Sequence, residues 1–248
     1  MGPKLSVNVN KVATLRNSRG AALPSVIEAV RVCIEAGAPG ITVHPRADER
    51  HIRRADVFEV AAFLETTPGI EFNIEGDPRP DLLEMVRQVR PTQCTLVPVM
   101  PGEITSQAGW PIDTPADTVG RDVKDLQQHG VRVSLFIEAE PAAVRWAASL
   151  GADRIELYTE PYAHAFAKGA DAAQKSFQAY VEAARLAHDL GLGINAGHDL
   201  DLANLALFRT LPHLDEVSIG HALISHALYV GLAQAVRDYL RACDAVSS

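Results

Sequence analysis

The sequence predicts an α/β protein: a single (β/α)8 TIM barrel with extra helices, one domain over residues 1–248. Three observations predict it. Eight short apolar, β-rich runs recur roughly every 30 residues, with helical patterns between them. The helical stretches end at glycines that lead within a few residues into the next run, the rhythm of parallel strands joined by helical crossovers. The chain has 248 residues, 47% of them hydrophobic, which suits one large barrel, and no linker or low-complexity segment divides it.

The expected strands are Leu5–Asn10, Gly40–His44, Glu71–Glu75, Gln93–Val99, Arg132–Glu138, Arg154–Tyr158, Gly193–Asn195 and Glu216–Ile219. Most read as continuous apolar runs, as parallel strands covered on both faces do. Ser25–Ala36 spaces Val26, Ala29, Val30 and Cys33 as one helical face and stops at Gly37. Pro98–Asp113 is long for a loop between strand and helix and reads as a lid. Thr114 or Asp117 is expected to cap a helix running to Gln128. Pro141–Leu150 stops at Gly151 and Ala172–Leu190 at Gly191. Asp199 or Asp201 is expected to cap a helix through Leu211, and Ala222–Cys243 reads as one long final helix. Eight units point to closure, because an open sheet leaves edges. No Gly-x-Gly-x-x-Gly follows the first strand, so a dinucleotide site is not expected.

The net charge of −8 and pI near 5.6 argue against nucleic acid or an anionic membrane as partner. No apolar run approaches the ~20 residues of a membrane span. No charged start precedes an apolar core, so no secretion signal is expected. Met1–Ser6 fits a loose myristoylation pattern, but Leu5 onward is better explained as a buried first strand. Cys33, Cys94 and Cys243 have no metal spacing and fit reduced thiols in a cytoplasmic protein.

A barrel of this kind carries its active site at the C-terminal ends of the strands. Those ends are rich in chemistry. Asn8, Asn10, Lys11, Arg16, Asn17 and Arg19 follow the first strand. His44, Arg46, Arg50 and His51 follow the second, Glu75 ends the third, and Glu103 and Thr105 follow the fourth. Glu138, Glu156 with Thr159, Asn195 with His198, and Gly220 with His221 end the rest. Gly197 and Gly220 leave backbone N–H groups open for a phosphate after the last two strands. Arg19, Arg46 and Thr105 suit a second anion. Glu75, in the apolar run Phe72-Asn-Ile-Glu75, is expected to be desolvated and so to suit a general base. His44 and His198 complete an acid–base set.

Plainer readings compete. Glu156 is either catalytic or a barrel-interior carboxylate paired with Arg or Lys. Arg50, Arg53 and Arg54 read as a solvated helix start, and Arg16 as a ligand of a helix C-terminus. Cys94 reads as core. His129, His164, His188, His213 and His226 read as surface or packing residues. No His-x-His or His-x-x-x-His pair ends a strand, so no metal is expected. Lys11 is the one lysine near a strand end, in a polar setting that does not suit a Schiff base. No Gly-x-Ser-x-Gly elbow supports acyl transfer. Such a rim also suits a phosphosugar isomerase or aldolase on the same barrel, or a non-catalytic phosphate binder.

The blocks Val7–Gly20, Gly40-Ile-Thr-Val-His-Pro-Arg46 with Arg50-His-Ile52, Val133–Ile137, Asn195-Ala-Gly-His198 and Ile219–Ile224 together resemble the pyridoxine 5′-phosphate synthase family. The resemblance runs in order over essentially the whole chain. It implies a (β/α)8 barrel with extra helices, assembled as a homo-octamer (a tetramer of dimers), with no metal or organic cofactor. It implies condensation of 1-deoxy-D-xylulose 5-phosphate with 3-amino-2-oxopropyl phosphate. By the same resemblance, His44 and Glu75 accept protons and His198 donates one. Asn8, Arg19, Asp199, Gly220 and His221 fall at the amino-ketone phosphate site. Asn10, Lys11, Arg46, His51 and Thr105 fall at the deoxyxylulose phosphate site. This chain departs from the family pattern at Asn10-Lys11 (usually Asp-His), Pro45 (usually Leu) and Asp199 (usually Gly). An Asp beside a phosphate adds repulsion unless its side chain turns away to cap the next helix.

Overall fold

The computed structural model describes residues 2–20, 22–98 and 108–244. Eight parallel strands pair in chain order and the last pairs the first, closing a barrel. They are β1 (Lys4–Asn8), β2 (Gly40–Val43), β3 (Glu71–Gly76), β4 (Gln93–Leu96), β5 (Arg132–Ile137), β6 (Arg154–Tyr158), β7 (Gly193–Gly197) and β8 (Leu214–Ile219). The helices among the described residues are α1 (Asn10–Asn17), α2 (Val26–Glu35), α3 (Arg54–Glu65), α4 (Pro80–Val89), α5 (Ala116–Gln128), α6 (Pro141–Ser149), α7 (Glu160–Ala167), α8 (Ala170–Asp189), α9 (Leu205–Phe208), α10 (His221–Val230) and α11 (Leu232–Asp244). None is long and apolar enough to cross a membrane.

The strands are not the continuous apolar runs expected of them. They alternate. Leu5, Val7, Ile41, Val43, Ile74, Leu96, Leu135, Ile155, Leu157 and Ile194 are fully buried and belong to the main apolar core. The residues between them are polar and point into the barrel. Ser6 Oγ meets Thr42 Oγ1 at 2.7 Å, Thr95 Oγ1 donates to Asn73 Oδ1 at 3.1 Å, and Asn195 Nδ2 donates across the barrel to Gln93 Oε1 at 3.2 Å. A side-chain period of two puts every second residue on this inner face. Buried polar groups are tolerated there because they bond one another. At the N-terminal rim Glu71 takes Lys4 at 2.5 Å and also bonds Arg132, while Arg154 donates to Asn195 Oδ1 at 2.7 Å.

The helices follow the expected spacing with shifted ends. Ser25 caps α2 by accepting the Glu28 N–H at 3.3 Å. Helix α5 starts from Pro115, not from a Thr114 or Asp117 cap. Asp201 Oδ1 accepts the N–H groups of Ala203 and Asn204 at 2.9 and 2.8 Å, but the helix beyond it is only Leu205–Phe208. The expected final helix is two, broken at Gly231, whose φ of +84° suits glycine. Helices α1, α4 and α7 lie where the sequence reads as connections. Arg16 forks onto Asp56 at 2.5 and 2.9 Å. Asp56 also accepts the Arg53 N–H at 2.7 Å, so Arg16 serves the N-terminus of α3 and not a helix C-terminus.

Candidate active site

The C-terminal ends of the strands surround one cavity of about 380 Å³. Asn8, Asn10 and Lys11 line it from β1 and the start of α1, and His44, Arg46 and His51 from the segment after β2. Glu75, Glu156, His198, Asp199, Gly220 and His221 complete the expected set. One expected residue is not in it. Arg19 is exposed beyond the end of α1 and is not among the residues that line the cavity. Thr105, with Glu103 and most of the expected lid, lies outside the described residues.

His44 is held from both sides by side chains. Its N–H donates to Asn10 Oδ1 at 2.9 Å, and Asn10 in turn donates its N–H to Asn8 Oδ1 at 3.0 Å. The next carbonyl, that of Pro45, accepts from Arg79 Nη2 at 2.7 Å. Arg79 is itself braced by Asp77 at 2.6 Å. Proline at 45 withdraws one backbone donor, and the Arg79 guanidinium fixes the strand end instead. The His51 carbonyl is gripped by Arg16 at 3.2 Å and Asn17 at 2.8 Å, and the His51 ring sits edge-on to His44 at 6.1 Å.

His44 Nδ1 lies 3.8 Å from Glu75 Oε2. Burial pushes the imidazole down to about 3, helped by the positive field of His51, Arg46, Arg79 and His198. Burial, then Arg46 and Lys11, pushes His51 down to about 4. Glu75 moves the other way. Burial lifts its carboxyl to about 8, with Glu216 adding repulsion and Ser218 opposing at 3.4 Å. Glu156 is pushed well up by burial and then by Glu75 and Glu216. It does sit inside the barrel, as one reading expects, and its Oε2 meets no hydrogen-bond partner among the described residues. A side chain on Gly197 would collide with Glu156 Oε1, which explains the glycine.

His198 follows β7 directly. Its ring stands edge-on to Tyr158 at 5.2 Å and tilted to Phe136 at 6.5 Å. Asp199 Oδ2 lies 3.3 Å from His198 Nδ1, and the imidazole holds that carboxyl below its ordinary value. The Asp199 side chain therefore turns to His198 and caps no helix. Opposite, Gly220 precedes α10, and Gly220, His221 and Ala222 line the cavity, so a helix start, whose first N–H groups lack partners within the helix, borders it.

Sequence reasoning does not single out Glu160, Phe136, Val97 or Ser218, which also line the cavity. Tyr158 hydrogen-bonds Glu160, and the strand alternation is the signal that places Phe136 and Ser218 inward. Among the described residues no group of three or more His, Cys, Asp or Glu is arranged to hold a metal.

The fold is shared with distant proteins. A structural study from Aquifex aeolicus matches with a TM-score of 0.64 at 11% identity, covering 98% of this chain and 93% of that one. A phosphoribosylanthranilate isomerase from Thermotoga maritima matches with a TM-score of 0.59 at 10% identity, covering 98% of this chain and 100% of that one. The curated relatives are far nearer. A protein of Bacteroides thetaiotaomicron named pyridoxine 5′-phosphate synthase is 52% identical, over 95% of this chain and 97% of its own. Namesakes from Porphyromonas gingivalis and Leptospira biflexa are 52% and 49% identical, the first over 95% and 97% of the two chains, the second over 96% of each. Residues 5–245 match the family described as pyridoxal phosphate biosynthesis protein PdxJ, and the chain belongs to that family.

Proposed function

We propose that this chain catalyses the pyridoxine 5′-phosphate synthase reaction. It condenses 1-deoxy-D-xylulose 5-phosphate with 3-amino-2-oxopropyl phosphate, giving pyridoxine 5′-phosphate, phosphate and water. One observation carries the reading: His44, Glu75 and His198 face a single cavity that also holds Lys11, Arg46 and the start of α10. Proton carriers flanked by cations suit two phosphorylated carbonyl substrates.

Asn8, Asp199, Gly220 and His221 lie toward the amino-ketone phosphate, with Arg19 assigned there by resemblance alone. Asn10, Lys11, Arg46 and His51 lie toward the deoxyxylulose phosphate, with Thr105 beside them by the same resemblance. The amine adds to the deoxyxylulose ketone and loses water to form an imine. His44 and Glu75 then take protons from carbon as water and phosphate leave. His198 gives a proton to oxygen as the second carbonyl is attacked and the ring closes. His44 is neutral in the empty site and so ready to accept a proton. Burial is the larger cause of its depression; a dianionic phosphate beside Arg46 and His51 offsets the positive field that adds to it, making it a stronger base. Every step is an addition, elimination or proton transfer, so no metal or organic cofactor is required.

The remaining features follow from the same reading. Residues 1–248 act as one catalytic domain in the cytoplasm, where Cys33, Cys94 and Cys243 stay reduced; all three are free and buried. The chain self-associates as a homo-octamer. Leu228, Tyr229 and Val230 at the end of α10 are 71%, 88% and 41% exposed, an apolar patch that a second copy would cover. Incubating the purified protein with both substrates and a chelator should yield pyridoxine 5′-phosphate and one inorganic phosphate per turnover, read by chromatography. No product at any substrate concentration overturns the reading.

A further inference from the structure

We propose that Asp199 is a positioning residue for this reaction, holding His198 through Nδ1 so that Nε2 is the nitrogen presented to substrate. The inference rests on the assignment of His198 as proton donor.

The backbone is the first reason. His198 and Asp199 have φ of +77° and +48°, two successive non-glycine residues in the left-handed region. Such residues cost about 1 kcal/mol or more each and persist only where surroundings over-determine them. Here they do. The Thr159 hydroxyl lies 2.9 Å from the Gly197 carbonyl and also bonds that of His198. Asn204 Nδ2 donates to the Asp199 carbonyl at 2.9 Å, while Asn204 Oδ1 accepts the Asp201 N–H at 2.9 Å. Leu200 is buried beside them. The strained turn carries the Asp199 carboxylate back onto the imidazole that precedes it.

The ring is the second reason. Tyr158 and Phe136 fix its plane from the barrel side. Nδ1 is buried and meets no hydrogen-bond partner among the described residues in this geometry, and Asp199 Oδ2, 3.3 Å away, is the charged group that faces it. A carboxylate on Nδ1 keeps a proton on that nitrogen, so Nε2 is the nitrogen that first takes up a proton and then gives it to oxygen, as in other carboxylate–imidazole pairs. The pairing is mutual, since the imidazole holds the Asp199 carboxyl ionised. It also keeps a carboxylate beside an anion site from acting as bare negative charge.

Two variants separate this role from a structural one. Asp199→Asn keeps shape and tolerates the left-handed backbone; Asp199→Gly relieves it. Both should fold with melting temperatures equal to or above that of the parent. Both should lose about ten-fold or more in kcat, with KM for the deoxyxylulose phosphate nearly unchanged and KM for the amino-ketone phosphate unchanged or lower. In a His198→Gln background Asp199→Asn should cost nothing further. Imidazole ¹⁵N spectra of the substrate-free protein should show the His198 tautomer change in Asp199→Asn. Unchanged kcat, a loss carried by KM, or an unaltered ¹⁵N spectrum overturns the inference. If Asp199→Asn alters the spectrum but the parent protein makes no pyridoxine 5′-phosphate, the assigned reaction fails and the His198–Asp199 pairing stands.

Discussion

Glu75 and His44 approach within 3.8 Å, yet they do not form an ion pair at rest. Burial favours the uncharged form of both, lifting one to about 8 and lowering the other to about 3. A carboxyl that titrates near 8 must lose its proton to act as a base, so kcat/KM of the free enzyme should rise with pH toward about 8. Glu75→Gln should remove that limb and cost about 10²–10⁴-fold in kcat. A variant that keeps the limb in its pH profile would assign it elsewhere. Strand ends make His44, Glu75 and His198 legible in the sequence, because each closes a β-rich run. Arg19 is not legible in the same way: it lies exposed beyond α1, a helix the polar composition of Asn10–Asn17 conceals. Arg79 is also invisible from sequence, since its role depends on the carbonyl of Pro45, 34 positions away.

At the scale of the strands, alternation decides the barrel's character. Glu71-Phe-Asn-Ile-Glu75 and Arg154-Ile-Glu-Leu157 carry apolar residues outward and polar residues inward. Read as runs, they give the right strands and the wrong faces, because one- and two-residue polar interruptions resemble noise until all eight strands share them. The inward face gathers Glu75, Glu156 and Glu216, and Glu216 is raised to about 7, chiefly by burial. A carboxyl raised on folding stabilises the folded state below its unfolded value near 4.5, and that stabilisation is lost as pH rises through the folded value. Glu75 and Glu216 therefore erode stability between about pH 4.5 and 8. Glu216→Gln should raise the melting temperature more at about pH 8.5 than at pH 5.5. An equal gain at both pH values would show that the carboxylate is compensated. Helix ends are less legible than helix faces: the break at Gly231 falls inside one continuous apolar pattern, and only its left-handed φ separates α10 from α11.

For the molecule as a whole, eight repeating units make closure legible, and the closed order β1 to β8 follows it. The proposed assembly is not legible from pattern, because Leu228, Tyr229 and Val230 end an apolar helix like any buried one and are set apart only by being exposed. Tyr229→Lys should shift the protein to smaller species in light scattering after size exclusion. An unchanged mass would move the interface elsewhere. The chain has two tryptophans, and both gather at one seam of the rim. Trp110 Nε1 donates to the Leu96 carbonyl at 2.8 Å, Trp146 Nε1 donates to the Thr114 carbonyl at 3.3 Å, and the rings lie 6.2 Å apart. Gly109 N–H ties the same stretch to Glu138 at 3.0 Å. The protein thus carries its own optical gauge. Indole emission originates wholly where the segment before α5 packs on α6, so fluorescence can follow changes at that contact without a label.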